Sequence, residues 1–254
     1  MSNGFPAEHY PGPLHEPRLH TDPGYAGHSG EESQAHGEHH PKLQHHFDDM
    51  EQQAEASALG MWVFLVTEIM FFGGLFMAYI VYRAAAPAAF QEASAHLAIG
   101  WGAFNTVVLI FSSLTMALAV RAAQTSLPPR TQVMWLIATI VLGAVFLGVK
   151  VIEYADKFAH HIVPGPNFDK SIWTHPAGAE QFYSLYFVMT GLHAVHMIVG
   201  IGIMMVIAIM AWRKHFDSTY FTPVEVSGLY WHFVDIVWIF LFPLLYLIGR
   251  HYHA

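Results

Sequence analysis

The chain has 254 residues, of which 54% are hydrophobic and only 12% charged, and it contains no cysteine. Soluble domains usually carry about 25% charged residues, so this chain has too few groups that can face water. Without cysteine it cannot form disulfides, cysteine-ligated iron–sulfur clusters or a thiolate-bridged copper site. Its formal net charge of −8 comes with no large basic patch, which argues against nucleic acid as a partner.

Residues 1–46 differ from the rest in being rich in Pro, Gly, Glu and His, with almost no aliphatic side chains. Such a composition buries too little apolar surface to offset the entropy of ordering, so these residues are predicted to form a disordered His-rich tail. The domain proper is predicted to be 47–254. The scattered histidines fit either a solvated, pH-sensitive linker or a weak metal-binding segment. Because the tail builds no core, a chain starting near Lys42 is expected to assemble normally.

Five long apolar blocks follow, separated by polar loops. A bilayer core takes roughly 20 consecutive apolar residues as a helix. The blocks are continuous rather than alternating, which excludes the strands of a membrane barrel. An amphipathic lead-in, residues 47–58, lies at the interface or begins the first helix. The predicted fold is all-α, an integral membrane bundle of five transmembrane helices behind the tail, with spans at about 59–82, 98–120, 133–152, 182–210 and 230–249.

The odd number of spans places the two termini on opposite sides of the membrane. Lys and Arg are divided almost equally between the loops of the two sides, so loop charge decides little. The pair Arg213–Lys214, and Arg121 with Arg130, lie close to span ends and favour a tail on the cytoplasmic side.

Glu68 is the most informative residue, because a charge inside a span is costly in lipid. No Lys or Arg lies within one helical turn of it in the sequence. It is therefore expected to face a partner helix, a lipid headgroup or a cavity, or to be protonated. An interhelical hydrogen bond and a functional contact with a proton, a lipid or another subunit both remain open.

Other polar residues stand three apart within spans, which brings each pair to neighbouring positions on one helix. His193 and His196 are predicted to share a face, and His232 is predicted to donate a hydrogen bond to Asp235. Glu153 has the same spacing from Lys150. Two histidines on one helix cannot take opposite axial positions on one heme iron, and the spans hold too few histidines for a catalytic heme–copper centre. Structural polar contacts are favoured over heme ligation, with no catalytic, cofactor-binding or metal-binding residue in this chain.

Small residues within the spans predict close helix packing or interhelical hydrogen bonds. They are Ser112, Ser113 and Thr115 in the second block and Gly143 and Gly148 in the third. Most tryptophans stand near predicted span ends, as an interfacial aromatic belt would place them: Trp62, Trp101, Trp135, Trp173, Trp212 and Trp231.

Four intramembrane strings, in order and at matching spacing, resemble the cytochrome c oxidase subunit III family. They are MWVFLVTEIMFFGGLF (61–76), ATIVLGAVFLGVKVIEY (138–154), YFVMTGLHAVHMIVG (186–200) and LYWHFVDIVWIFLFPLLY (229–246). The loop string HHIVPGPNF (160–168) resembles the bacterial five-helix branch, and the whole resemblance runs from about Ala54 to Arg250.

The resemblance implies a non-catalytic subunit of a proton-pumping respiratory oxidase, in a bacterial inner membrane with its N-terminus cytoplasmic and its C-terminus periplasmic. Heme and copper would belong to partner subunits I and II, and phospholipid would bind this chain. Cytochrome c would be served only indirectly, through the complex. Glu68 matches the family's carbodiimide-reactive glutamate, and the resemblance makes a further five residues candidates for proton, lipid or subunit contact: Glu153, His193, His196, His232 and Asp235.

One departure is that the longest family members have seven helices, whereas this chain has the last five. Another subunit supplies the missing pair, or the lipid cleft is closed differently. Alternative functions are the equivalent subunit of a quinol oxidase or nitric oxide reductase, a free-standing heme-binding membrane enzyme, or a transporter. A transporter would show broken helices or repeats at the midplane, and the sequence shows neither.

Overall fold

The computed structural model describes residues 47–125, 127–166, 168–216 and 220–248. The predicted tail, residues 1–46, lies outside this part of the chain, as does Arg250. Six α-helices and a final π-helical turn account for most of it: α1 Met50–Ala85, α2 Pro87–Ala95, α3 Ile99–Gln124, α4 Pro129–Ala159, α5 Pro176–Trp212, α6 Thr222–Phe242 and the π turn Pro243–Leu247.

Five of these helices are long and apolar enough to cross a membrane, which confirms the predicted fold class. They are α1, α3, α4, α5 and the continuous stretch of α6 with the π turn. The helices extend beyond the predicted spans because helix formation continues into their polar ends. At the start of α1, for example, the Asp49 carboxylate caps the helix by accepting a 2.7 Å hydrogen bond from the Gln52 amide. The amphipathic lead-in therefore begins the first helix.

Helix α2 lies in the connection between the first two predicted spans, where the sequence predicts no helix. Its nine residues are too few to show a helical period, and no side chain caps its start; only Pro87 in the first turn signals it. Phe90 is fully buried and packs edge-to-face on Tyr79 of α1 and Phe182 of α5. The short helix therefore joins the ends of two spanning helices.

Helices α3 to α6 form a four-helix core in which α4 lies between α3 and α5, and α6 contacts both α3 and α5. Helix α1 packs against α6 and α5 from outside. In the most apolar stretch of each helix, 17% of residues are buried in α1 and 56% in α6. Helix α6 is therefore the centre of the bundle, and α1 presents most of its surface outward.

Trp231 lies in the core and not in an interfacial belt, so that part of the belt prediction is wrong. It is fully buried, and its indole Nε1 donates to Ser112 Oγ at 3.0 Å. Glycine makes room for the ring, since a Cβ on Gly200 or Gly143 would stand 2.9 or 2.8 Å from it. Gly143 thus packs closely as predicted, whereas a Cβ on Gly148 would meet nothing within 4 Å.

The π turn at the end of α6 is held by side chains from the beginning of the domain. Pro243 has no amide hydrogen, so the regular helical ladder is interrupted there. The Tyr79 hydroxyl donates to the Leu244 carbonyl at 2.7 Å, and the Ser94 hydroxyl donates to the Leu245 carbonyl at 2.7 Å. Two helices from the first part of the chain therefore fix the last turn.

The connection before α5 is ordered by carboxylates outside the spanning helices. The Thr174 amide donates to Glu92 Oε1 at 2.8 Å, which ties α2 to the start of α5 and lowers the pKa of Glu92. The hydroxyl and amide of Ser171 both donate to Asp169 Oδ1, and they lower the pKa of Asp169 in the same way.

Candidate functional site

Glu68 of α1 and His196 of α5 form a hydrogen-bonded pair across the bundle, with 3.0 Å between Oε2 and Nε2. His196 Nδ1 lies 2.8 Å from the Leu192 carbonyl, which can only accept, so Nδ1 carries a hydrogen. The contact at Nε2 then requires one proton shared with the carboxyl group. This chain therefore supplies a partner for Glu68 from another spanning helix.

The Glu68–His196 pair is open to a cleft between α1, α5 and α6. The two side chains are 19% and 17% exposed, and the cleft has a volume of about 520 Å³. Phe64 and Tyr230 line the cleft, and the Tyr230 hydroxyl donates to the His196 carbonyl at 3.1 Å. Phe72 packs edge-to-face on the His196 ring at 5.2 Å. The pair is therefore open to groups that enter this cleft.

His232 and Asp235 do not form the predicted hydrogen bond. His232 Nδ1 pairs instead with the Ser113 hydroxyl of α3 at 2.7 Å. Asp235 is only 3% exposed, and within the described part of the chain neither carboxylate oxygen has a hydrogen-bond partner. The prediction was wrong because residues three apart on a helix can diverge toward different neighbouring helices. Interhelical bonds from Ser113, and from Thr115 to Thr139 at 2.8 Å, confirm the role predicted for the small polar residues.

His193 also diverges from His196, because three residues turn a helix by about 300° and leave the two side chains about 60° apart. It is fully buried, with its ring 5.3 Å from Phe146 and 5.3 Å from Trp238. Neither ring nitrogen has a hydrogen-bond partner among the described residues. The intramembrane histidines therefore enter three different environments: an acid pair, a serine contact and an aromatic pocket.

Glu153 belongs to a closed polar cluster with Lys150 and Tyr246. Lys150 Nζ donates to Glu153 Oε2 at 2.8 Å and to the Tyr246 hydroxyl at 2.8 Å, and that hydroxyl donates to Glu153 Oε1. The Lys150 ammonium also lies 4.7 Å from the Trp238 ring centre. The i, i+3 spacing revealed the lysine and the glutamate, whereas the tyrosine, 93 residues away from Glu153, gave no local signal.

No three His, Cys, Asp or Glu side chains of the described residues converge in a way that could hold a metal ion. The hydrogen-bonded groups Glu68–His196, Ser113–His232 and Lys150–Glu153–Tyr246 each link spanning helices, whereas His193 and Asp235 have no such partner among the described residues. The five long apolar helices that carry these groups are those of a multi-pass membrane protein.

The comparisons with known proteins place this architecture in a family. The profile described as cytochrome c oxidase subunit III matches residues 31–250, beginning earlier than the resemblance seen from Ala54 onward. The chain belongs to this family of heme-copper oxidase subunits.

Curated relatives come from two kinds of oxidase. A protein named cytochrome c oxidase subunit 3 from Synechocystis is 32% identical over 220 residues, covering 85% of this chain and 80% of the relative. A protein named probable quinol oxidase subunit 3 from Staphylococcus aureus is 28% identical over 205 residues, covering 81% of this chain and 95% of the relative.

Proposed function

We propose that this chain is the non-catalytic subunit III of a proton-pumping respiratory cytochrome c oxidase in a bacterial inner membrane. It packs on the catalytic subunit I beside subunit II, binds phospholipid, and supports proton uptake and durability during turnover. Heme and copper reside in the partner subunits. The N-terminus is cytoplasmic and the C-terminus periplasmic, which reporter fusions at the two ends test: activity of both reporters in one compartment would contradict the topology.

The match to the subunit III family over residues 31–250 supports the assignment, and the Glu68–His196 pair is the observation that carries the proposed role in proton uptake. Its proton can sit on the imidazole or on the carboxyl group, and both arrangements have the same net charge. Moving the proton between them therefore avoids much of the cost of charging a single buried group in lipid. Because the pair faces an accessible cleft, it suits a role in tuning proton delivery or in holding a subunit contact, with oxygen chemistry carried out elsewhere.

Replacing Glu68 with Gln tests this role, because the change keeps the shape of the side chain and removes its titration. The variant complex should assemble and reduce oxygen at its initial rate, but it should lose carbodiimide labelling and differ in proton-pumping yield or in the time to inactivation. Glu55→Gln, at an exposed position of the same helix, is the matched control.

The Glu68 proposal has two clear failures. An intact, fully cofactor-loaded Glu68→Gln complex that cannot reduce oxygen would show that Glu68 is needed for the chemistry itself. If the variant matches the parent in labelling, pumping and durability, the Glu68–His196 pair is only a structural hydrogen bond.

The electron donor in the proposal is cytochrome c, because the cytochrome c oxidase relative has the higher identity of the two compared. The quinol oxidase relative supports a second candidate, since the match covers nearly all of its length. Purification of the complex in mild detergent, with mass spectrometry of its subunits, distinguishes the two. A copurifying copper-site subunit II and oxygen consumption with reduced cytochrome c support the first candidate, whereas activity with quinol alone supports the second.

A further inference from the structure

An apolar groove of about 430 Å³ runs between α3 and α6. Ile110 and Leu114 form its α3 side, and Ile236 and Ile239 form its α6 side, with each side chain about half exposed. Ser113, His232 and Asp235 also line the groove, and all three lie near the middle of their spanning helices. The groove therefore combines half-exposed aliphatic rims with polar groups at the depth of the membrane centre.

The carboxyl group of Asp235, which lines this groove, lacks hydrogen-bond donors in the described part of the chain. The residue is 97% buried, being 3% exposed, yet neither of its oxygens is hydrogen-bonded to any described residue. The Ser113 hydroxyl lies beside the carboxyl group and also pairs with His232 Nδ1 at 2.7 Å. It has one hydrogen, so it can serve at most one of the two Asp235 oxygens. A buried carboxylate without a donor costs several kcal/mol in general, and a membrane centre offers no water to reduce that cost. A donor from outside the chain would remove it.

We propose that the α3–α6 groove is the docking site for a transmembrane helix of another oxidase subunit, and that this helix carries a basic side chain that pairs with Asp235. The inference rests on the proposed function, since it assigns a surface to the contact with the rest of the complex. The aliphatic rims supply a seat between two helical ridges, and the carboxylate supplies charge complementarity.

Other occupants fit the groove less well. An acyl chain has no hydrogen-bond donor, and a lipid headgroup stays at the membrane surface, far from the middle of α3 and α6. A second copy of the chain, related by an axis along the membrane normal, would bring its own Asp235 to the same depth and set like charges against each other.

The depth of the carboxylate limits the kind of side chain that can reach it. Both oxygens have almost no accessible surface, so the half-exposed rim side chains must move apart before a donor can reach them. Arginine and lysine have apolar stems long enough to cross the aliphatic rim and a charged head to place at its floor. Arginine would add two parallel hydrogen bonds to one carboxylate.

Photo-crosslinking in the purified complex tests the occupant. A benzophenone amino acid replaces Leu114 in the groove or, as the control, Val141 on α4; the two native side chains are 54% and 53% exposed. We expect position 114 to crosslink to another oxidase subunit at least tenfold more than position 141. Crosslinks from position 114 to lipid, or to a second copy of this chain alone, would overturn the inference.

Substitution of Asp235 tests the chemistry. In the complex, Asp235→Asn should lower the amount of this chain retained on the oxidase at least tenfold, whereas Asp235→Glu, which keeps the charge, should retain most of it. Equal retention of Asp235→Asn and the parent would overturn the ion pair. If the unmodified chain does not copurify with an oxidase, the proposed function fails; if it copurifies but position 114 meets only lipid, the groove assignment alone fails.

Discussion

Glu153 and Asp235 are two intramembrane carboxyl groups with nearly equal burial, at 4% and 3% exposure, and opposite surroundings. Glu153 is satisfied by Lys150 and Tyr246 within the chain. Asp235 has no hydrogen-bond partner in the described structure. Burial alone therefore does not reveal whether a carboxyl group stabilises a membrane subunit; its hydrogen-bond partners decide. Glu153 ties α4 to the π turn, whereas Asp235 lies buried beneath the α3–α6 groove without such a tie.

The largest expected loss of stability comes from removing the charge of Glu153 from its cluster with Lys150 and Tyr246. Glu153→Gln leaves the Lys150 ammonium buried without a counter-charge, and removing one partner of a buried pair costs about 3–5 kcal/mol. Detergent-induced unfolding of the isolated subunit, followed by tryptophan fluorescence, measures the loss. Glu225→Gln on α6 is the control, since the same change at an exposed position should alter the free energy of unfolding little. A loss no larger than that of the control would show that the cluster is not stabilising.

The next largest effect is expected where Trp231 of α6 packs against Gly200. Gly200→Ala places a Cβ about 2.9 Å from the Trp231 ring, and overpacking of this kind typically costs about 1–3 kcal/mol. Gly148→Ala adds the same atom to α4 where nothing lies within 4 Å, and it should be neutral or slightly stabilising because alanine favours helix. Thermal unfolding midpoints of the two variants compare them directly; equal midpoints would contradict the tight packing of Trp231.

For Asp235 we expect substitution to change the free energy of unfolding of the isolated subunit in the opposite direction from Glu153→Gln. Asp235→Asn removes a buried charge that the described chain does not pair, so it should raise the free energy of unfolding by on the order of 1 kcal/mol. The same unfolding assay used for Glu153→Gln measures it. A clear loss of stability would mean that the chain itself satisfies Asp235, and the contrast between the two acids would disappear.

The smallest effect concerns an acid outside the membrane. Hydrogen bonds from Thr174 lower the pKa of Glu92 below its usual value near 4.5. Its contribution is therefore present above about pH 4.5 and is lost as the pH falls through the lowered pKa. Because water screens this site, the contribution should be below about 1 kcal/mol. Thermal melts between pH 3 and 7 (roughly the range in which carboxyl groups titrate) should show this difference between the parent and Glu92→Gln; identical profiles would exclude it.

The sequence was sufficient for the architecture because continuous apolar stretches of this length have few alternatives in lipid. It also identified Glu68 as a residue that needs a partner. It did not identify that partner, since His196 lies 128 residues away and the choice depends on how α1 and α5 are rotated against each other. Helical spacing succeeded for Lys150 and Glu153, but it failed for His232 and Asp235, where a serine on α3 competes for the imidazole.

Helix α2 and the position of Trp231 were missed for related reasons. A nine-residue helix shows too little periodicity to be recognised, and only its proline signals its start. A tryptophan near a span end resembles an interfacial residue until the glycines of two other helices are known to make room for it. Both errors concern packing between distant segments, which local patterns do not encode.

The hydrogen bonds that fix the π turn also constrain the order in which the subunit matures. Tyr79 and Ser94 emerge from the ribosome early, but their acceptors on Leu244 and Leu245 lie 165 and 151 residues later. Until the final helix enters the membrane, both hydroxyl groups lack these acceptors, and Glu153 lacks Tyr246. A nascent chain cut short before Pro243 would thus expose several unsatisfied polar groups at once, a chemical mark by which membrane quality control can distinguish an incomplete subunit from a finished one.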